Sequence, residues 1–150
     1  PNITQLIQRF TNATQRSVNI TDPRCLALDL QGRLFTVTQN PSLLHEFNAT
    51  TVAATRRLLL SSLSIFSVAR HDRFYFVGTD QNTILVIDGN SFTPIHQINS
   101  SHLKQVRDII FLNSGQTMVV TSTSDGFLVF FRQVDPAIMN YTFSFKLPVT

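Results

Sequence analysis

Three stretches of this chain follow one plan at intervals of about 40 residues, and that repeat constrains its fold more than any other feature. The first runs CLALDLQGRLFTVTQNPSLLHEF from Cys25, the second IFSVARHDRFYFVGTDQNTILVID from Ile65, and the third VRDIIFLNSGQTMVVTSTSDGFLVFF from Val106. Each reads as an alternating apolar strand, a tight turn, a second strand, a polar turn and a third strand. Aligning the first turns on Gly32, Asp72 and Gly115 gives spacings of 40 and 43 residues.

The apolar positions then superpose without gaps. Before the turn stand Leu26, Phe66 and Ile109, then Leu28, Val68 and Phe111. After it stand Phe35, Tyr75 and Met118; Val37, Val77 and Val120; Leu44, Ile84 and Phe127; and Phe47, Ile87 and Phe130. Residues two apart in a strand share a face, so each set is expected on one face of its sheet. Gly32 and Gly115 suit the turn because glycine tolerates positive φ; His71-Asp72 is a poorer turn pair. Fourth strands are expected at Thr51–Leu59, Phe92–Ile98 and Tyr141–Leu147, although the Ala-Ala-Thr-Arg-Arg-Leu of the first also suits a helical turn. Ile3–Phe10 alternates too, and could be the outer strand of a preceding unit.

Four-stranded meanders at this spacing are propeller blades. The expected fold is all-β, with antiparallel four-stranded β-propeller blades. Residues 1–21 form a leading strand or linker, 22–62 blade 1, 63–104 blade 2 and 105–150 blade 3. The stretch from Val106 resembles a WD-type blade in its V-x-x-I-x-F-x-x-x-G pattern, its Ser-Asp-Gly turn and its L-x-V-F. It departs from that family in lacking any Trp and the Gly-His pair. The stretch from Phe74 to Ile98 resembles NHL and YVTN-type blades of extracellular and surface-layer propellers, with Asn82-Thr83 before Ile84-Leu-Val-Ile-Asp88. The resemblance spans Asp22 to Leu147. It implies a scaffold and carries no catalytic residue onto this chain.

A propeller ring takes about four to eight blades, so three leave two open sides. Each open side exposes apolar blade face and unpaired strand edge. Further chain, other copies closing one ring, or copies joined head to tail would cover them.

Six Asn-x-Ser/Thr acceptors for N-linked sugar occur, at Asn2, Asn12, Asn19, Asn48, Asn99 and Asn140. With ten Asn, and 30 Ser plus Thr in 150 residues, about two are expected by chance. The excess points to a secreted, extracellular glycoprotein. Sugar would also keep soluble a chain that is only 14% charged against about 25% in ordinary domains. Cys25, the single cysteine, cannot pair internally. In its apolar strand it reads as a buried thiol, with an intermolecular disulfide as the alternative.

The net charge of +3 is scattered, with Arg56-Arg57 and Lys104/Arg107 the only local concentrations, which argues against a nucleic-acid surface. No apolar run reaches the length of about 18 residues needed to span a bilayer. No signal peptide shows, so a secreted protein would be represented here by its mature form or an internal piece.

No residue set reads as catalytic. His45, His71, His96 and His102 lie at no metal-ligand spacing. Asp80, Asp88, Asp108 and Asp125 suit turn backbones, and Asp125 with Ser122 and Ser124 makes a poor calcium loop. Five glycines form no phosphate loop, and neither Ser61-Ser62 nor Thr121–Ser124 resembles a nucleophile with its base. No cofactor or metal is expected. The expected function is a non-catalytic binding or assembly module. Its alternatives are a subunit of an extracellular glycoprotein filament and a propeller enzyme of lactonase or lyase type. The enzyme would need ionisable groups on the innermost strands, read as Leu26–Leu30, Phe66–Ala69 and Ile109–Leu112. Only Asp29 and Asp108 offer them there.

Overall fold

Alternating apolar residues between short polar turns build strands, and strands joined by short turns pair with their sequence neighbours. A computed structural model describes residues 23–28, 33–39, 41–48, 50–60, 64–80, 82–122 and 126–149. Blade 1 is the meander β1 (Pro23–Leu28), β2 (Arg33–Thr38), β3 (Leu43–Asn48) and β4 (Ala54–Leu59). Blade 2 is β5 (Ile65–His71), β6 (Phe74–Thr79), β7 (Thr83–Asp88) and β8 (Thr93–Asn99). Blade 3 is β9 (Val106–Leu112), β10 (Thr117–Ser122), β11 (Phe127–Asp135) and β12 (Asn140–Pro148). Every pairing is antiparallel. The one helical turn among the described residues is the 3-10 turn Asn113–Gly115. The chain is therefore an all-β stretch of β-propeller with three four-stranded blades. The ambiguous Ala54–Leu59 segment is a strand, while Ile3–Phe10 lies outside the described residues.

The blades stack through two cores. Phe35, Val37 and Leu44 of blade 1 meet Tyr75, Val77, Leu85 and Ile87 of blade 2. Phe74, Phe76, Ile84 and Val86 of blade 2 meet Met118, Val120, Val129, Phe131 and Tyr141 of blade 3. Blade 2 is thus apolar on both faces, and β6 and β7 are buried almost throughout. A sheet covered on both sides needs continuous apolar runs instead of alternation, and FYFV and ILVI supply them. Across the cores β1 lies beside β5 and β5 beside β9, so the first strand of each blade is innermost.

This arrangement corrects the gapless alignment. Phe35 and Val37 point forward to blade 2, whereas their expected equivalents Tyr75 and Val77 point back to blade 1. Leu26 and Leu28 are 67% and 62% exposed, and Cys25 and Ala27 pack on the core in their place. The alignment slipped by an odd number of residues because the first turns differ in length. Leu28 pairs with Leu34, His71 with Phe74 and Leu112 with Thr117. With apolar residues on both faces of the middle blade, the pattern does not record which face is which.

The turn before each fourth strand is a repeated device. Asn48, Asp88 and Asp135 each accept a backbone N–H two residues on, at 2.8–3.0 Å. Four residues after each stand Val52, Phe92 and Met139, all non-glycine residues with φ of 53–58°. Val52 N–H and Phe92 N–H donate back to the carbonyls of Asn48 and Asp88. The left-handed backbone is costly for such side chains. Phe92 and Met139 recover that cost by burying in the two cores.

Candidate functional site

The innermost strands carry a second repeated irregularity. In β1 the ladder steps from Pro23 to Cys25, in β5 from Ile65 to Ser67, and in β9 from Val106 to Asp108. The residues passed over are Arg24, Phe66 and Arg107, one per blade at spacings of 42 and 41 residues. A bulge frees its residue from the ladder and re-aims the side chain. Here the three converge: the guanidinium carbon of Arg107 lies 4.6 Å from the centre of the Phe66 ring, and that of Arg24 lies 5.9 Å from it. Both arginines are exposed and Phe66 is half-buried. Neutral amides orient them. Arg24 donates to Gln39 Oε1 at 3.3 Å and Arg107 to Gln105 Oε1 at 3.0 Å. Gln39 also donates to the Ile65 carbonyl at 2.9 Å, tying blade 1 to blade 2 beside the ring.

These are ionisable groups on the innermost strands, which sequence reading had limited to Asp29 and Asp108. It began the strands too late, at Leu26 and Ile109, and so left Arg24 and Arg107 out. Asp29 lies outside the described residues, and Asp108 accepts the N–H of Ile109 at 2.9 Å.

A second polar cluster joins blades 1 and 2. Glu46 is 4% exposed and faces blade 2. It accepts from Arg56 Nε at 3.0 Å, from Arg56 Nη2, and from the Thr55 hydroxyl at 2.6 Å. Arg33 lies 3.8 Å away. Burial pushes the Glu46 carboxyl up, but these hydrogen bonds and the two guanidinium charges outweigh it and hold the carboxyl below its ordinary range. Arg56 Nη2 also donates to the Gly89 carbonyl at 2.8 Å, and the guanidinium sits 4.3 Å from the centre of the Phe92 ring. The cluster is a clamp between blades. Beside it Arg33, Arg70, Asp72, Arg73 and Asn90 line a polar cleft of about 160 Å³.

Of the described residues singled out in the sequence, Asn140 and His96 are brought together. Asn48 and Asn99 are exposed at the ends of β3 and β8. Asn140 opens β12, is half-buried, and meets His96 Nε2 through its Oδ1 at 2.9 Å. Asn2, Asn12 and Asn19 lie outside the described residues. Cys25 is a free, half-buried thiol, with its Sγ 3.7 Å from the Val68 carbonyl. His45 is buried against Thr38 Oγ1 at 3.1 Å, and burial together with Arg57 lowers its pKa below 6.5. His71 stacks on Phe111 and His102 on Phe143. No group of three His, Cys, Asp or Glu that could hold a metal occurs among the described residues.

The outer faces remain apolar. On blade 3, Ile110, Leu112, Phe145 and Leu147 are exposed beside half-buried Leu128 and Phe130, with Phe130 and Phe145 stacked 4.4 Å apart. On blade 1, Leu26, Leu28 and Leu59 are exposed. No described helix is long and apolar enough to cross a membrane.

No protein-family model matches this chain, and no curated protein matches it. Solved structures do. Hydrazine synthase of Kuenenia stuttgartiensis superposes with a TM-score of 0.69 at 15% identity, over 88% of this chain and 38% of that one. Glutaminyl cyclase of Myxococcus xanthus superposes at 0.68 and 13% identity, over 87% and 52%. BamB of Moraxella catarrhalis superposes at 0.63 and 18% identity, over 85% and 37%. The chain therefore spans between about a third and half of the length of these proteins. All three are propeller-type proteins, and the likeness shows the fold: this chain is a β-propeller segment.

Proposed function

We propose that the chain is a non-catalytic binding or assembly module of an extracellular, N-glycosylated β-propeller. Its ring would be completed by further blades, from a longer chain or from other copies. The observation that carries this reading is the apolar outer face of blade 3, where Ile110, Leu112, Phe145 and Leu147 are exposed in the manner of the faces buried between blades. Exposed apolar area of this kind marks an interaction surface. The greater length of the structural neighbours favours completion by further blades. The purified chain is expected either to associate, seen by light scattering, or to remain single and bind a hydrophobic dye strongly. A folded single chain that leaves the dye dark would end the proposal. Exposed Asn48 and Asn99 support the glycoprotein part. Material from a secretory host should lose mass on enzymatic deglycosylation, and an unchanged mass would refute it.

Continuous head-to-tail contact of blade 3 with the blade 1 end of the next copy would give an extracellular filament, which electron microscopy would show as fibres. The enzyme reading, of lactonase or lyase type, draws some support from the glutaminyl cyclase neighbour. Against it, the described residues gather no group of three His, Cys, Asp or Glu that could hold a metal.

A further inference from the structure

We infer that the cleft between blades 1 and 2 binds a small acid, with Arg70 and Arg73 taking its carboxylate and Asp72 taking a hydrogen-bond donor on the adjacent carbon. The ligand class is an α-hydroxy or α-amino acid. The inference goes beyond the assembly reading above, because both blades that make the cleft belong to this chain.

The cleft is lined by Arg33, which opens β2, by Arg70 of β5, by Asp72 and Arg73 of the β5–β6 turn, and by Asn90 of the β7–β8 turn. Its volume of about 160 Å³ is small beside the roughly 300 Å³ or more of sites for drug-sized molecules, so it suits a compact ligand. Two of its charges lack partners. Arg70 is half-buried and Asp72 exposed, and neither makes a hydrogen bond or ion pair among the described residues. A charge drawn partly out of water without a partner is costly, and opposite charges left open in one cleft call for a molecule that answers both. Arg73 stands 3.5 Å from Asp88 Oδ2, beyond the usual hydrogen-bond length of about 3.2 Å, so its N–H donors remain available to a ligand. The guanidinium fork matches the two oxygens of a carboxylate. Arg33 adds positive charge while keeping its place beside Glu46.

The walls of the cleft are also fixed in advance. The Gly89 N–H donates to the Arg73 carbonyl at 2.8 Å, and a side chain at Gly89 would collide with that carbonyl. Arg56 of blade 1 donates to the Gly89 carbonyl at 2.8 Å and to the Asn90 carbonyl at 3.3 Å. The Asn90 N–H donates to Asp88 Oδ1 at 2.8 Å. The backbone of the β7–β8 turn is thus held from both blades, while the Asn90 side-chain amide makes no hydrogen bond among the described residues. Asp72 has a φ of 54°, which sets it at the tip of its turn. A site held in place before binding loses less freedom when the ligand enters.

The test is a titration of the whole chain with glycine, sodium glycolate and sodium acetate, against sodium chloride at matched ionic strength. The readout is the NMR signals of the arginine Nε–H groups and the Asn90 side-chain amide. Glycine or glycolate should shift the Arg70, Arg73 and Asn90 signals saturably, and chloride should not. Acetate, which lacks the second donor, should bind about fivefold or more weakly than the better of the two. Whether glycine or glycolate binds more tightly identifies the donor as ammonium or hydroxyl. Arg70→Ala should weaken binding about tenfold or more. Asp72→Gly, which accepts the positive φ, should bring that ligand down to the level of acetate and leave acetate itself unaffected. Arg132→Ala, on an exposed side chain of β11, should change nothing. Thermal melting without ligand checks the fold of each variant. Arg70→Lys keeps the charge without the fork, and gives a milder change that should still weaken binding severalfold. Equal shifts with all four solutes, parental binding by the Arg70 variants, or acetate binding as tightly as both other acids would overturn the inference.

Discussion

The two junctions between blades are built from different chemistry. Blades 2 and 3 meet through aromatic rings. Phe76 packs edge-on to Phe111 and Tyr141 at 4.7 and 5.9 Å, and the Tyr141 hydroxyl donates to the Gly115 carbonyl. Blades 1 and 2 meet through a smaller apolar cluster, closed at its outer side by the Glu46–Arg56 clamp. The first junction depends on shape, because dispersion contacts require close fit. The second depends on charge state and must repay the desolvation of Glu46 through its hydrogen bonds. Blade 1 should therefore be the more responsive end of the segment, and blade 3 the more rigid.

The largest effect should come from Phe76→Ala. It empties a fully buried site in the aromatic junction and should cost about 4 kcal/mol in urea unfolding. Arg56→Ala leaves the buried Glu46 charge without its main partner and should cost about 3 kcal/mol. Its amide-exchange signature should separate it from Phe76→Ala, with faster exchange in blade 1 and little change in blade 3. Equal loosening of both junctions would mean that the three blades unfold as one unit. Tyr141→Phe removes a buried hydroxyl and strands the Gly115 carbonyl, for about 1.5 kcal/mol. Asp135→Ala removes the side-chain acceptor of the last turn, for about 1 kcal/mol, measured the same way.

Protons should cut the two junctions from opposite directions. Glu46 is depressed in the folded chain, so its contribution is complete above its unfolded value of 4.5 and is lost as pH falls through the lower folded value. His45 is depressed from 6.5, so blade 1 begins to lose stability as pH drops below 6.5. Tyr141 is raised by burial to about 12, so the aromatic junction is undisturbed below pH 10 and weakens as pH climbs toward 12. Exchange measured blade by blade across this range should show blade 1 yielding to acid and blade 3 to alkali.

Much of the fold was legible in the sequence. The strands of all three blades and their order follow from the period-two runs and the spacing of Gly32, Asp72 and Gly115, while the starts of the innermost strands do not. What was not legible is the facing. Tyr75 and Val77 read like Phe35 and Val37 because a strand buried on both sides has no polar face to mark its parity. The Asn48, Asp88 and Asp135 turns were visible as an Asx followed four residues later by Val52, Phe92 and Met139. That pairing of a turn residue with an apolar residue was a usable signal. The candidate site was the least legible part. A bulge is a property of pairing, and nothing in Arg24, Phe66 or Arg107 taken singly announces one. Only their common place in the repeat, seen once the ladders are known, does so.

The bulge has a consequence for how a protein of this kind could change. Core residues in adjacent blades are bound to one another, so altering one demands changes in its neighbours. The bulged position is released from that constraint in every repeat. Its side chain can vary alone, blade by blade, and each added repeat would contribute one more independent choice to the lining of the axis. Evolution, or a designer, could thus rewrite the polarity of the inner rim one residue at a time while the stack of sheets that carries it stays the same.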